Sequence, residues 1–252
     1  MSIKKHIPNI LTLANLFCGI LAIKVGFSEH YYLAGFFVVL GAFFDFFDGF
    51  VARLLKAQSE LGKHLDSLAD MVTFGVAPGV MMYSFLSSFI EDSYIPYISF
   101  VIPLLSAVRL AKFNIDSNQS DKFIGLPTPA NALFFVFIPL VFIFENFGGD
   151  KTTFVTQSLS VSETFKYLMI VIILLFSCLL NAPIEMIALK FNSFGWKGNE
   201  IRFIFLGLCL VVISLCLLIS SVFVCVPIII LLYIILSIIN NIFKKKQDEL
   251  QS

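Results

Sequence analysis

Charge is scarce in this chain. Asp, Glu, Lys and Arg make up 13% of its 252 residues, about half the share usual in a soluble domain. Mean hydropathy is +0.93. Together these exclude a water-soluble globular fold and require an integral membrane protein. Net charge is missing too, because 17 basic residues balance 17 acidic ones. No nucleic-acid partner is expected from such a balance. Paired cysteines are absent: Cys18, Cys178, Cys209, Cys216 and Cys225 all lie in apolar stretches and none forms a C-x-x-C pair. That excludes a thiolate zinc site and a disulfide framework and leaves apolar filler. Internal repeats are lacking, and the apolar runs do not alternate polar and apolar residues, which excludes a transmembrane barrel.

What remains is a series of long uncharged runs, each suited to an α-helix that satisfies its own backbone in lipid. Residues 7–23 carry no Asp, Glu, Lys or Arg, longer than a usual signal-peptide core, and no small-residue cleavage site follows. An uncleaved first span over 8–27 is expected. Further spans are expected over 31–53, 65–89, 94–112, 129–146 and 164–182. From Phe203 to Phe243 the chain has no charge at all. As one helix that stretch would reach about 60 Å, twice a hydrocarbon core of about 30 Å. It must fold back, and Ser220-Ser221 is the expected turn. The fold class is therefore all-α, a polytopic bundle of about eight spans. The loops 114–122, 147–163 and 185–202 connect them, and a charged, disordered tail follows from Lys244.

The basic residues set the orientation. With both termini cytoplasmic, fourteen of the seventeen Lys and Arg fall on one side, leaving Lys24, Lys151 and Lys166 on the other. This is a strong positive-inside pattern. It puts the C-terminal end of the second span and the start of the third in the cytoplasm.

Those two ends carry the chemistry. Residues 45–70 read DFFDGFVARLLKAQSELGKHLDSLAD. On helices, Asp45 and Asp48 are spaced i, i+3 and Asp66 and Asp70 i, i+4, so each pair shares a face. Each Asp at a helix centre costs about 2.5–3.5 kcal/mol to insert, so four of them need compensation. An all-oxygen cluster without His or Cys suits Mg²⁺ or Mn²⁺ better than zinc. Gly49, Ala52 and Gly62 keep the carboxylate face open to a ligand. Arg53 lies two turns beyond Asp45, where a guanidinium can hold a phosphate. His64 is read as a surface residue, and His6 and His30 as interfacial. Gly75-x-x-x-Gly79 suits a helix or dimer contact, and Pro78 within it suits a bend.

The pattern Asp-x-x-Asp-Gly-x-x-Ala-Arg, eight residues, then Gly-x-x-x-Asp-x-x-x-Asp resembles the signature of the CDP-alcohol phosphotransferase family at all eight positions. The resemblance implies transfer of a phosphatidyl-type group from a CDP-linked lipid to an alcohol, with release of CMP. It implies that Asp45, Asp48, Asp66 and Asp70 bind a divalent metal and that Asp70 takes the proton of the acceptor hydroxyl. Gly49, Ala52, Arg53 and Gly62 would line the nucleotide and diphosphate site. The family core has six helices, which implies a catalytic domain over 1–183 and an extension of two spans over 184–252.

PNILTLANLFCG (8–19), LDSLADMVTFGVAPG (65–79), RLAKFN (109–114) and GLPTPAN (125–131) are further similar to the phosphatidylserine synthase branch. The usual branch patterns, RLARFN and GLP-x-PAA, differ at Lys112 and Asn131. This likeness implies CDP-diacylglycerol and L-serine as substrates, with Arg109, Lys112 and Asn114 at the acceptor or a phosphate. Membrane lipids and a second copy of the chain are the expected partners. The expected location is a bacterial inner membrane, with the site facing the cytoplasm. Two alternatives stay open. One is the same chemistry on another acceptor, such as glycerol 3-phosphate or inositol phosphate. The other is a divalent-cation transporter using the four acids as an ion site.

Overall fold

The computed structural model describes residues 6–90, 94–115, 123–147, 163–188, 195–196 and 199–251. Its elements are helices α1 (Ile7–Phe27), α2 (Tyr31–Leu54), α3 (Glu60–Asp70), α4 (Ala77–Ser87), α5 (Val101–Ile115), α6 (Thr128–Phe147), α7 (Glu163–Leu179), α8 (Glu200–Leu218) and α9 (Val222–Gln251). A π-helical segment, Met71–Val76, joins α3 to α4, and a 3₁₀ segment, Ile95–Phe100, leads into α5. Because α3, the π segment and α4 run on without a break, the described residues form the eight apolar rods expected. Six are long and apolar enough to cross a membrane, and Thr128–Phe144 and Thr164–Leu179 are shorter. The chain folds back at Ser220, whose φ is +55°, as expected for the long charge-free stretch.

The outside of the bundle is apolar. Ile10, Phe17, Phe36, Phe46 and Leu210 are each at least half exposed, a surface that only lipid would cover. Inside, Phe74, Phe85, Phe135 and Met81 are fully buried where α4 meets α6. Helices α1 and α2 pack closely because small residues face each other and their neighbours. A side-chain carbon at Gly41 would lie 2.6 Å from Thr73 Cγ2, and one at Gly19 would collide with Thr73 Oγ1. Thr73 therefore wedges into both helices, and its hydroxyl donates to the Asn15 carbonyl at 3.0 Å. Gly75 and Gly79 face Ser106 and Pro103 of the same chain, so this pair serves packing within the bundle.

Two expectations are corrected. The third span opens at Glu60 rather than 65, because Ser59 caps it. Its Oγ accepts the Gly62 N–H at 3.0 Å and Glu60 complements the helix dipole. Gly62 thus belongs to the first turn of α3, not to the preceding loop. The bundle is all-α, as expected, and one short ladder ties two of its connections: Phe123–Ile124 (β1) and Glu185–Met186 (β2) run antiparallel, pairing Phe123 with Met186 and Ile124 with Glu185. The tail from Lys244 is not disordered but continues α9 to Gln251. Lys4, Lys5, Glu91, Asp92, Lys122, Lys151, Lys190 and Lys197 lie outside the described residues, as do the side chains of Lys244, Lys245 and Lys246.

Candidate active site

Three helix ends build the site. The end of α2 brings Asp45 and Asp48, the body of α3 brings Asp66 and Asp70, and the start of α1 closes the third side. A left-handed residue, Lys56 at φ +50°, turns the chain between α2 and α3, so that the two acidic faces oppose each other. On α2 the acids face inward while Phe43, Phe46 and Phe50 on the other faces are exposed. The same helix thus presents carboxylates to the bundle and aromatic rings to lipid.

Asp45, Asp48 and Asp66 each offer a carboxylate oxygen, and these oxygens lie within 4.8 Å of one another. Asp45 is also in side-chain contact with Asp70. Like charges this close repel strongly, and a shared cation removes the conflict. The donor set is all carboxylate oxygen, which fits a hard divalent cation.

Beside the acids is an open cavity of about 520 Å³. Asp48 and Asp66 reach it, and so do all four residues expected at a nucleotide and diphosphate: Gly49, Ala52, Arg53 and Gly62. Arg53 is exposed and its guanidinium folds back over Gly49, about 3.9 Å from where a side chain there would begin. A side-chain carbon at Gly62 would lie 3.1 Å from Ser59 Oγ and 3.2 Å from Asn9 Oδ1, so glycine here lets α1 approach the cap of α3. Asp45 and Asp70 do not line this cavity.

Two residues behind the acids were not singled out from the sequence. Thr12, buried on α1, donates its hydroxyl to Asp48 Oδ2 at 2.6 Å. Asn15, one turn on and fully buried, donates Nδ2 to Asp70 Oδ1 at 3.3 Å. The available signal was the spacing of Asn9, Thr12 and Asn15, a polar residue at every third position of an otherwise apolar helix. The π segment directly after Asp70 was also unforeseen. Such bulges are frequent at functional sites, and this one carries the Thr73 wedge that sets α3 against α1 and α2.

The three expected acceptor residues separate. Arg109 is buried, with Nε unpartnered, and within electrostatic reach of Asp70. With Lys112 it lines a second cavity of about 350 Å³ between the end of α5, β1 and the end of α7. Asn114 is elsewhere. Its Nδ2 donates to Ser67 Oγ at 2.9 Å and its carbonyl accepts from Lys63 Nζ at 3.2 Å, which ties α5 to α3. Asn131, in the first turn of α6, is fully buried with both amide atoms unpartnered. His64 is exposed, as expected.

The profile of CDP-alcohol phosphatidyltransferases matches residues 5–193. The chain belongs to this family. Members are generally dependent on a divalent metal, which accords with the acidic cluster. Curated relatives named CDP-diacylglycerol–serine O-phosphatidyltransferase are similar to the chain. The Bacillus subtilis protein is 41% identical over 128 residues, which is 49% of this chain and 70% of the relative. The Helicobacter pylori J99 protein is 38% identical over 136 residues, 53% of this chain and 57% of the relative. The Saccharomyces cerevisiae protein is 36% identical over 140 residues, covering 49% of this chain and 50% of the relative. The match thus spans less than two thirds of the latter two proteins.

Proposed function

We propose that the chain transfers the phosphatidyl group of CDP-diacylglycerol to the hydroxyl of L-serine, giving phosphatidylserine and CMP. The observation that carries this reading is the 520 Å³ cavity in which Asp48, Asp66, Gly49, Ala52, Arg53 and Gly62 meet. The serine names of the relatives supply the acceptor, and neither alternative is favoured by them.

In this reading the three small residues leave room for the nucleotide and its diphosphate beside the backbone. Arg53 pairs with a phosphate oxygen. Asp45, Asp48, Asp66 and Asp70 would hold the divalent cation, Mg²⁺ or Mn²⁺. A bound cation would neutralise the diphosphate and steady the leaving CMP. Asp70, fixed by Asn15, accepts the proton of the serine hydroxyl. The serine oxygen bonds to the lipid-side phosphorus as the bond from that phosphorus to the CMP oxygen breaks. Arg109 and Lys112 serve the acceptor or its approach, with Arg109 facing the serine carboxylate, and Asn114 contributes only by bracing α3. Residues 1–183 form the catalytic domain and 184–252 an extension of it. The site faces the cytoplasm of a bacterial inner membrane, and two copies of the chain associate as a homodimer.

The test is CMP release from CDP-diacylglycerol by purified protein with a panel of acceptors and either Mg²⁺ or Mn²⁺. Serine is expected to be the productive acceptor. Asp70→Asn is expected to slow release by about 10²–10⁴-fold, the range for a lost general base. Preference for glycerol 3-phosphate or inositol phosphate, or an undiminished rate in Asp70→Asn, refutes the reading.

A further inference from the structure

Helices α8 and α9 lie beyond the matched residues 5–193, yet they carry polar side chains aimed back into the matched part. On α9, Tyr233, Ser237 and Asn241 recur every fourth residue and so share one face. All three bond to the backbone of residues 185–187. Tyr233 Oη donates to the Ile187 carbonyl at 3.1 Å, and Ser237 Oγ accepts the Ile187 N–H at 3.1 Å. Asn241 accepts the Glu185 N–H at 3.2 Å and donates to the Glu185 carbonyl at 2.6 Å. From α8, Arg202 Nε donates to the Ala188 carbonyl at 2.6 Å.

This arrangement follows the two-residue period of a strand. The Ile184 carbonyl faces the β1 side and accepts the Gly125 N–H at 2.9 Å. Glu185 and Ile187 face the opposite way, and α9 supplies side chains where a third strand would supply backbone. A ladder of two residues per strand is too short to hold itself. The position of β2 is therefore set by α9.

The held segment does not itself line the 350 Å³ cavity beside Arg109 and Lys112, but it anchors two parts of that wall, Leu180 to Pro183 directly before it and Ile124, its partner on β1. Asn181 in that wall donates Nδ2 to the Leu105 carbonyl at 2.9 Å, while its Oδ1 is buried without a partner. Arg109 Nε is buried without one as well. Buried polar atoms are normally satisfied, so a donor and an acceptor left open beside one cavity call for a polar ligand. Tyr233 is within electrostatic reach of the Arg109 guanidinium.

We propose that Tyr233, Ser237 and Asn241 are positioning residues for the acceptor alcohol. By fixing residues 185–187 they hold in place the chain that forms the cavity wall around Arg109, a role that rests on the serine reading above. Neither cavity is lined by α8 or α9 itself, but only the Arg109 cavity is lined by β1 and by the residues that run directly into β2, so the two substrates respond differently to damage at this contact.

The experiment uses the full chain in detergent with Tyr233→Phe and, separately, Asn241→Leu. CMP release is followed while serine and CDP-diacylglycerol are varied in turn. Each variant is expected to raise the KM for serine by about three- to tenfold, the loss of one or two hydrogen bonds, with the KM for CDP-diacylglycerol unchanged. Tyr233→Phe keeps the ring against Phe205, 5.8 Å away, so this variant isolates the hydroxyl even where Asn241→Leu fails to fold. An unchanged serine KM in Tyr233→Phe, or an equal rise in both KM values, overturns the proposal. If the wild-type protein uses a different alcohol, the serine reading fails by itself, and the same split measured with that alcohol still decides the role of α9.

Discussion

Thr12→Val removes one hydroxyl at nearly constant volume and isolates how the acidic site is oriented. The Thr12 Oγ1 proton has two acceptors in reach, the Pro8 carbonyl at 3.1 Å and Asp48 Oδ2 at 2.6 Å. The shorter contact, to a carboxylate in a buried setting, holds it. Hydrogen bonds to charged groups contribute about 1.5–3 kcal/mol, and valine puts a methyl group against the carboxylate instead. Asp48 is one of the three acids with oxygens inside 4.8 Å, so freeing its rotamer loosens the cluster. Outer partners of metal ligands typically carry about 10–100-fold in affinity, which agrees with that energy. The assay is CMP release against Mn²⁺ concentration. Half-saturating Mn²⁺ is expected to rise by about 10–100-fold, with most of the rate recovered at high Mn²⁺, whereas Thr12→Ser stays near wild type. A Thr12→Val protein that unfolds at the wild-type temperature and needs no more Mn²⁺ refutes the reasoning.

Two further outcomes are expected. Gly125 has φ +78°, and a side-chain carbon there runs into the Leu180 carbonyl. Gly125→Ala should therefore lose about 1–3 kcal/mol, seen as a lower unfolding temperature in detergent, and an unchanged transition contradicts this. Chelation with EDTA should abolish CMP release, and Mn²⁺ or Mg²⁺ should restore it. Full activity in excess EDTA removes the acid cluster from the role of metal centre.

The eight rods were legible because membrane insertion leaves a coarse record. Uncharged runs long enough to cross lipid have few other uses, and the break at Ser220-Ser221 follows from length alone. The acidic face was legible for a related reason. Charges in grease are costly, so Asp45, Asp48, Asp66 and Asp70 at helical spacing stand out, and the structure gathers carboxylate oxygens of the first three within 4.8 Å. Gly49, Ala52, Arg53 and Gly62 came with the same motif, and the structure brings all four to one cavity. Boundaries were less visible where a single side chain decides them, as Ser59 does for α3.

What the sequence by itself determined is the fold class, the span order and the helix faces that carry acid. These depend on local composition and on the 3.6-residue period, which one chain displays in full. The tertiary structure alone decided which distant residues stand behind those acids. Thr12 reaches Asp48 across 36 positions and Asn15 reaches Asp70 across 55. It also decided that Asn114 braces α3 while Arg109 and Lys112 face another cavity, and that Tyr233, Ser237 and Asn241 replace a strand. Such contacts join side chains from helices whose mutual rotation is set by packing, here by Thr73 against Gly19 and Gly41. No pattern along one helix encodes that rotation.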